Sequence, residues 1–507
     1  MKFDYRPVSN TRLYLLSILT GIFAGIFVSL FRWMLLQSDS MRAFMFDTTK
    51  SPLFHILVIL SMWILIMLVN WLKNHVPYIS GSGLPQTIGA IYGLLKYRIP
   101  ILQFVSKFVG SVFTIGMGLS LGREGPSVQL GALGSAIIGK YTKSDSTQQR
   151  YLTLAGAGAG LSAAFTAPIA ATVFVIEDML GWVSLKVTLP VLIASLISGY
   201  LAKIILPANF FATLSPVFPD VNFFVFFLII LGLAILATLG GKLLYVLIFY
   251  FQKQYAKRII PVWLKLFCIV ILTYIVGTFI FDITAGGEDA LIKHLLDNRG
   301  NVWWLFALVL IKILFTAISY STGLFGSIIL PLVVMGGLLG KAYSLMLIYF
   351  GVITPMSSSF LTLIGMSIFF VSVVRAPISG MMLILEMTTQ YSIFFPMVFA
   401  VTLTFLFGQY LNLKPIYHTM YLNMILQMKN KYSEIEFQIN NESVLDGVRL
   451  DKFIMPEDCS LIEVKRGGVV EKLSADLILL QKDIIKIKVP TEKYSELFYL
   501  FRTITNE

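Results

Sequence analysis

Long apolar runs recur along this 507-residue chain, and they restrict the folds that it can adopt. Hydrophobic residues make up 57% of the sequence and charged residues only 13%. A helix that crosses a bilayer needs about 20 consecutive apolar residues. Runs of this kind cover residues 13–36, 54–71, 223–251, 302–318 and 394–410. The pattern predicts an all-α polytopic membrane protein, whose first run stays as a membrane helix because no small-residue cleavage site follows it.

The net charge of +12 comes from basic residues that lie mostly between or beside the apolar runs. Such positions favour loops that contact anionic lipid headgroups, so we expect a lipid bilayer as partner and no nucleic acid. The two cysteines, Cys268 and Cys459, and the four histidines are scattered and lack the spacing of a metal site. The sequence also has no pattern of a nucleophile with its base. We therefore expect no metal, no cofactor and no enzymatic activity.

The membrane part contains an internal duplication. An Ala-Pro-Ile sequence with a glutamate nine residues after the proline occurs at residues 167–177 and again at 376–386, an offset of 209. A proline with a glycine five residues later, starting at Pro126, recurs at an offset of 205. Transporters built from such repeats often have inverted topology and bind substrate near the bilayer midplane. The expected membrane domain is a first repeat over 1–206, a linker over 207–220 and a second repeat over 221–429.

Three segments rich in Gly and Pro interrupt the apolar runs, at residues 80–85, 122–126 and 323–331. Proline after small residues suits a helix start, where unpaired N–H groups form an anion site without a full positive charge. The second segment also places Arg123 and Glu124 at membrane depth, which is tolerated mainly where charged groups line a pathway. One such segment alone is more often a kink. Three of them around a buried acid favour an anion pathway through discontinuous helices.

In their order along the chain, these segments resemble the signatures of the CLC family of chloride channels and proton-coupled chloride antiporters, over about residues 11–425. Residues 81–85, Gly-Ser-Gly-Leu-Pro, are similar to the first signature, and residues 122–126, Gly-Arg-Glu-Gly-Pro, match the second. The third is usually Gly-x-Phe-x-Pro, but residues 327–331 read Ser-Ile-Ile-Leu-Pro. Residues 414–417, Lys-Pro-Ile-Tyr, fit the last signature.

The resemblance implies a chloride site in each subunit of a homodimer. Its side-chain ligands would be the hydroxyls of Ser82 and Tyr417. Backbone N–H groups of Ile328 and Ile329 would serve despite the missing Gly and Phe, and Gly125 would contribute from the second signature. The serine at position 82 favours chloride as the substrate rather than nitrate or fluoride.

The resemblance also makes Glu124 the gate. Its ionised carboxylate would occupy the anion site, and protonation would release it, so that anion and proton compete for one location. Asp178 stands where antiporters of the family often have an internal proton-carrying glutamate, which favours antiport over a passive proton-gated channel. Glu177 is an alternative proton residue or else a structural one. Arg123 and Lys107 would add positive potential to the pore; the alternatives are a static Arg123–Glu124 ion pair and a snorkelling or ion-paired Lys107.

The last part of the chain reads as a small soluble α+β domain. Its predicted elements are strands at 460–465, 469–471 and 483–489, a turn at 466–468 and a helix at 491–501. The pattern resembles the C-terminal subdomain of potassium-conductance regulators, the TrkA-C type. It implies a cytoplasmic regulatory domain over 433–507 in a bacterial cell-membrane protein, which serves as a dimerisation cap or binds a ligand such as a cyclic dinucleotide.

The tail alone also permits a function of another class, namely a ligand-sensing regulatory subunit or a component of a potassium transporter. The membrane part offers no support for that alternative, because its sequence has no carbonyl filter of the potassium-channel kind.

Overall fold

The computed structural model describes residues 10–181, 185–206, 216–257, 259–295, 301–427, 432–440, 443–453, 455–456, 458–474, 476–490 and 493–505. The helices of the first half are α1 (Asn10–Met45), α2 (Pro52–His75), α3 (Leu84–Ile91), α4 (Pro100–Gly116), α5 (Glu124–Tyr141), α6 (Ser146–Phe165), α7 (Pro168–Phe174) and α8 (Leu185–Ile205). Those of the second half are α9 (Phe223–Ala256), α10 (Val262–Phe279), α11 (Glu288–Leu295), α12 (Val302–Ser321), α13 (Ile329–Tyr349), α14 (Ser358–Val374), α15 (Pro377–Thr388), α16 (Phe394–Tyr410) and α17 (Ile416–Gln427).

Nine segments within the described residues are long and apolar enough to span a bilayer. All five apolar runs named above fall in α1, α2, α9, α12 and α16, so the prediction of a helical polytopic protein is confirmed. Burial differs widely among the spans, from 94% for the segment that contains α14 to 22% for α2. Because α2 is apolar but little buried by protein, its surface fits a lipid environment, whereas α14 belongs to the protein core.

Residues at the predicted offset make equivalent contacts in the two halves, as two copies related by a two-fold axis do. Gly122 and Ser327, which differ by the predicted offset of 205, pair with each other in an antiparallel bridge. Lys107 donates hydrogen bonds to two carbonyls of the loop before α3, and Lys312 does the same in the loop before α11. These equivalent contacts are consistent with the predicted duplication, whose repeat boundaries stay a prediction. Residues 207–215 of the predicted linker lie outside the described residues.

Short helices that begin at proline or directly after glycine lie in the interior of the membrane part. Pro168 and Pro377 begin α7 and α15, where a missing N–H leaves no hydrogen bond unmade. Gly83 precedes α3 with a φ of +90°, a conformation that disfavours side chains, and it lies against the side chain of Gln129. Each break ends the previous segment within the protein and starts a helix whose first N–H groups are free of helical partners.

The chain divides into two compact units by its internal contacts. The first comprises Asn10–Ile88 and Tyr97–His418, and it contains most of the membrane helices. The second comprises Met1–Ser9, Gly89–Lys96 and Thr419–Glu507, of which residues 1–9 lie outside the described ranges.

The second unit contains a four-stranded antiparallel sheet in the order β1-β4-β2-β3. Its elements are β1 (Tyr432–Gln438), β2 (Ser460–Arg466), β3 (Val469–Glu471), β4 (Ile484–Pro490) and the helix α18 (Tyr494–Thr505). The predicted hairpin and the later strand are present, and the turn narrows to Gly467 and Gly468, both with positive φ. The sequence reading missed β1, which pairs along the whole of β4. The helix runs four residues beyond its predicted end, and residues 491–492 of its predicted start lie outside the described residues.

Aromatic side chains pack together in this second unit. Tyr92 lies with its ring centroid 5.3 Å from that of Phe498 and 6.0 Å from that of Tyr421. The Tyr494 hydroxyl is buried and donates a 2.5 Å hydrogen bond to the Tyr92 carbonyl. The first turn of α18 is therefore held by the chain segment that directly follows α3.

Candidate functional site

The three Gly- and Pro-rich segments predicted from the sequence come together in the structure. Gly81 donates to the carbonyl of Gly323 at 2.9 Å and accepts from the N–H of Gly326 at 3.3 Å. Gly122 donates to the Ser327 carbonyl at 2.6 Å, and Ser327 donates back at 2.8 Å. These bonds join the loops that precede α3, α5 and α13, so the starts of three helices lie around one buried location.

Glu124 lies at the start of α5 and has no exposed surface. Its Oε2 accepts hydrogen bonds from the Ser327 hydroxyl at 3.0 Å and from the N–H of Leu330 at 3.3 Å. Its Oε1 has no hydrogen-bond partner among the described residues. A Cβ at Gly122 would collide with Oε2, so glycine is needed there for the carboxylate to lie over the backbone. The carboxylate thus accepts hydrogen bonds from donors at a helix start, as a bound anion would.

Ser82 and Tyr417, the two predicted side-chain ligands, are both buried in the same unit. The Ser82 hydroxyl accepts the N–H of Leu84 at 3.3 Å and lies within hydrogen-bonding reach of the Tyr320 hydroxyl. The Tyr417 hydroxyl has no hydrogen-bond partner among the described residues, and the Ile328 amide lies beside it. A buried hydroxyl without a partner is uncommon in a folded protein and fits a site that receives a ligand.

The remaining predicted backbone ligands show how closely the loops approach. A Cβ at Gly125 would meet the Ser82 carbonyl and the Ser327 side chain, so only glycine allows this packing. The Ile329 N–H donates to the Ser327 hydroxyl at 3.4 Å, and it is therefore already engaged. Sequence reasoning missed both the Leu330 amide and the Ser327 hydroxyl as partners of Glu124. Their place in the third signature was the signal that could have identified them.

Lys107 is fully buried below the first signature loop. Its ammonium donates to the carbonyls of Ile79 at 2.9 Å and Gly81 at 2.7 Å, and it lies 4.9 Å from the centre of the Phe325 ring. Through these contacts Lys107 fixes the loop that carries Ser82 and places a positive group beside it.

Arg123 is joined to Glu288 rather than to Glu124 in the described structure. The two guanidinium nitrogens lie 3.1 and 3.3 Å from the two carboxylate oxygens of Glu288, at the start of α11. The pair lines a cavity of about 40 Å³, whose wall also includes Asp39 and Leu330. A space of this size is enough for a water molecule. Because Arg123 has its own partner, Glu124 is not fixed by an ion pair with its neighbour.

Glu177 and Asp178 lie in a one-turn π-helical segment, Val175–Leu180, that follows α7. Glu177 accepts the N–H groups of Ile378 at 3.1 Å and Ser379 at 2.7 Å, as well as the Ser379 hydroxyl. The Oδ2 atom of Asp178 is buried and has no partner among the described residues. π-Bulges occur often at functional sites. The two adjacent acids therefore have different environments, one saturated with donors and one without.

Comparison with known proteins agrees with this architecture. Residues 64–409 match the family model described as "Voltage gated chloride channel". The chain is 30% identical over 362 residues to an H(+)/Cl(-) exchange transporter ClcA of Yersinia pestis bv. Antiqua (strain Angola), with 67% of this chain and 72% of that protein covered. A protein of the same description from Salmonella paratyphi A (strain ATCC 9150 / SARB42) is 31% identical, with 68% and 74% covered. This chain therefore belongs to the CLC family of voltage gated chloride channels.

Solved structures show the same fold. A slow cyanobacterial Cl−/H+ antiporter matches with a TM-score of 0.74 at 22% identity, covering 84% of this chain and all of that one. A CLC-type fluoride/proton antiporter matches with a TM-score of 0.67 at 22% identity, with 80% and 97% covered. The chain is a multi-pass membrane protein with bacterial relatives that are named as transporters.

Proposed function

We propose that this protein exchanges chloride for protons across the membrane. The observation that carries the proposal is the Glu124 carboxylate, which lies on the Leu330 N–H and the Ser327 hydroxyl, where a permeating anion would bind. An ionised carboxylate there excludes chloride. A protonated carboxylic acid forms weaker hydrogen bonds with those donors, so it can move away and chloride can bind in its place. The relatives named as H(+)/Cl(-) exchange transporters support the same activity.

The chloride ion would bind next to the gate, between the hydroxyls of Ser82 and Tyr417. Both are buried, and a hydroxyl group is a suitable donor to an anion. The Ile328 amide beside Tyr417 would add a backbone donor, and Lys107 would supply positive potential from behind the Ser82 loop. We assign Ile329 and Gly125 to the walls of the site rather than to its ligands. The Ile329 N–H already donates to the Ser327 hydroxyl, and Gly125 is needed for the close packing of the loops.

Protons would reach Glu124 from the other side by way of Asp178. Its unpaired buried Oδ2 can take up and release a proton without breaking a hydrogen bond. Glu177 lacks this freedom because two N–H groups and one hydroxyl stabilise its ionised form. We therefore assign the proton to Asp178 and a structural role to Glu177. Arg123, held by Glu288, would orient the start of α5 on the side of the 40 Å³ cavity.

The alternative within this family is a passive chloride channel that opens on protonation. The two are separated by reconstituting the protein in liposomes with a chloride gradient and recording proton movement with a pH dye. Antiport predicts that chloride flowing down its gradient drives protons against theirs. Chloride flux without proton movement would establish the channel and would contradict the role of Asp178.

For the tail we propose a cytoplasmic regulatory domain of the TrkA-C type over 433–507, following repeats at 1–206 and 221–429. A sheet covered on one side by an amphipathic helix supports the resemblance. We also propose a homodimer, as in the family that the sequence resembles, and a cyclic dinucleotide as ligand. Titration of the full-length protein with a panel of cyclic dinucleotides tests the ligand, and sedimentation in detergent tests the dimer. Absence of binding would leave the domain as a dimerisation cap.

A further inference from the structure

The two repeats differ at one position that touches the gate. Gly122 and Ser327 pair through both backbone N–H groups and occupy matching places at an offset of 205. The first has no side chain, and a Cβ there would collide with the Glu124 carboxylate. The second carries a hydroxyl that donates to Glu124 Oε2 at 3.0 Å. The pseudo-symmetric pair therefore presents a bare backbone on one side of the carboxylate and a hydroxyl donor on the other.

The direction of this hydrogen bond is fixed by the surrounding groups. The N–H and the carbonyl of Ser327 are both hydrogen-bonded to Gly122, and the residue is fully buried. Its oxygen accepts the Ile329 N–H at 3.4 Å, so the hydroxyl proton is available for Glu124. A carboxylate gains more from such a donor than a neutral carboxylic acid does.

We propose that Ser327 is a positioning residue that holds ionised Glu124 in its closed pose and thereby sets the pH at which the gate opens. The inference rests on the proposed role of Glu124 as the gate. The hydroxyl favours the ionised, closed carboxylate over the protonated, open one, so it lowers the pH that is needed to release the gate. The other charged or titratable groups that face Glu124 stay the same when only the hydroxyl is removed; they are Arg32, Arg123, Glu288 and Tyr417.

The test measures chloride and proton flux from liposomes between pH 4 and 8 for Ser327→Ala and Ser327→Gly. Both changes should move the midpoint of activation to higher pH by about one to two units, the size expected for one lost hydrogen bond to a charged group. The ratio of chloride to protons should not change. Ser327→Cys, with a weaker donor of similar shape, should fall between them and the wild type.

Ser127→Ala is the matched control. This serine is also fully buried in the same region, but its hydroxyl donates to the Arg123 carbonyl at 2.9 Å instead of to Glu124. Its removal should leave the midpoint in place. Thermal unfolding in detergent checks that each variant is folded, and the Gly and Cys variants allow the test if Ala is unstable.

Three results would contradict the proposal or the function on which it rests. If Ser327→Ala and Ser327→Gly keep the wild-type midpoint while Glu124→Gln removes the pH dependence, the gate is as proposed and Ser327 does not position it. If Glu124→Gln retains the wild-type pH profile, the proposed function of Glu124 itself fails. Combining Ser327→Ala with Glu124→Gln should give no further shift, and an added shift would show that Ser327 acts elsewhere.

Discussion

Glu177 and Glu386 make the same contact in opposite directions. Glu177 accepts the N–H groups of the second and third residues of α15, and Glu386 accepts those of the second and third residues of α7, at 3.1 and 2.7 Å in both cases. Glu177 thus caps the N-terminus of α15, and Glu386 caps the N-terminus of α7. The positive end of the helix dipole favours an anion at both places. The offset of 209 between the two glutamates is one of the two offsets on which the predicted repeat is based.

This reciprocity predicts that Glu177 and Glu386 both stabilise the fold and that neither carries protons. Replacing either by Gln removes a charged acceptor from two N–H groups, which should lower stability by about 1–3 kcal/mol. Thermal unfolding in detergent measures the loss, which should be larger for Glu177→Gln because Glu177 also accepts the Ser379 hydroxyl. The ratio of protons to chloride should stay at the wild-type value in both. A loss of proton movement in Glu177→Gln alone would instead make Glu177 a proton carrier.

Asp178 should behave in the opposite way from its neighbour. Asp178→Asn keeps the shape of the side chain but cannot carry a proton, so chloride flux should continue while chloride-driven proton movement falls to background. Stability should change little, because the carboxylate oxygen Oδ2 has no partner to lose among the described residues. Asp178→Glu keeps a titratable group and should retain coupling. Full coupling in Asp178→Asn would exclude this residue from the proton path.

Tyr417→Phe should weaken chloride binding without disturbing packing. The variant removes only a hydroxyl that lacks a partner among the described residues. One hydrogen bond to a charged ligand corresponds to a loss of about ten- to hundred-fold in affinity. Isothermal titration of chloride into the purified protein gives the value. Tyr421→Phe, one turn further along α17, is the control and should bind as the wild type does; equal losses in the two variants would argue against a ligand role for Tyr417.

Lys107 and Lys312 occupy equivalent positions, so a comparison of their variants distinguishes an effect on chloride binding from an effect on stability. Lys107 and Lys312 are both fully buried and each donates to two backbone carbonyls. Substitution of either by Met should lower the unfolding temperature, because two carbonyls lose a charged donor. Only Lys107→Met should also weaken chloride binding, since only Lys107 holds the loop that contains Ser82. Equal chloride affinity in both variants would contradict a role for Lys107 in the pore.

The sequence predicted features that depend on local pattern. Run length located the spans, and the Gly- and Pro-rich segments located the helix starts, because both follow from the chemistry of consecutive residues. The shared offset of Glu177 and Glu386 already indicated a relationship between them. What could not be predicted depends on contacts between distant residues. The pairing of Arg123 with Glu288 joins positions 165 residues apart, and no local pattern marks it.

The role of the third signature, which differs from the usual Gly-x-Phe-x-Pro, was the part of the site that was hardest to predict from the sequence. Replacement of glycine by serine at position 327 suggested only an altered pore shape, whereas the structure places its hydroxyl on Glu124. The Leu330 amide was missed because its place in the third signature does not show which backbone N–H group contacts Glu124. In the tail, β1 was missed because its alternation of charged and apolar residues, Tyr432–Gln438, gains its meaning only from pairing with β4.

The most direct test of the central claim, that chloride and protons compete at Glu124, is a parallel recording of chloride and proton flux in liposomes for the wild type and Glu124→Gln. Glutamine resembles a permanently protonated glutamate. The account predicts that the variant passes chloride at every pH and that its chloride-driven proton movement disappears. Proton movement in Glu124→Gln at the wild-type ratio to chloride would contradict it.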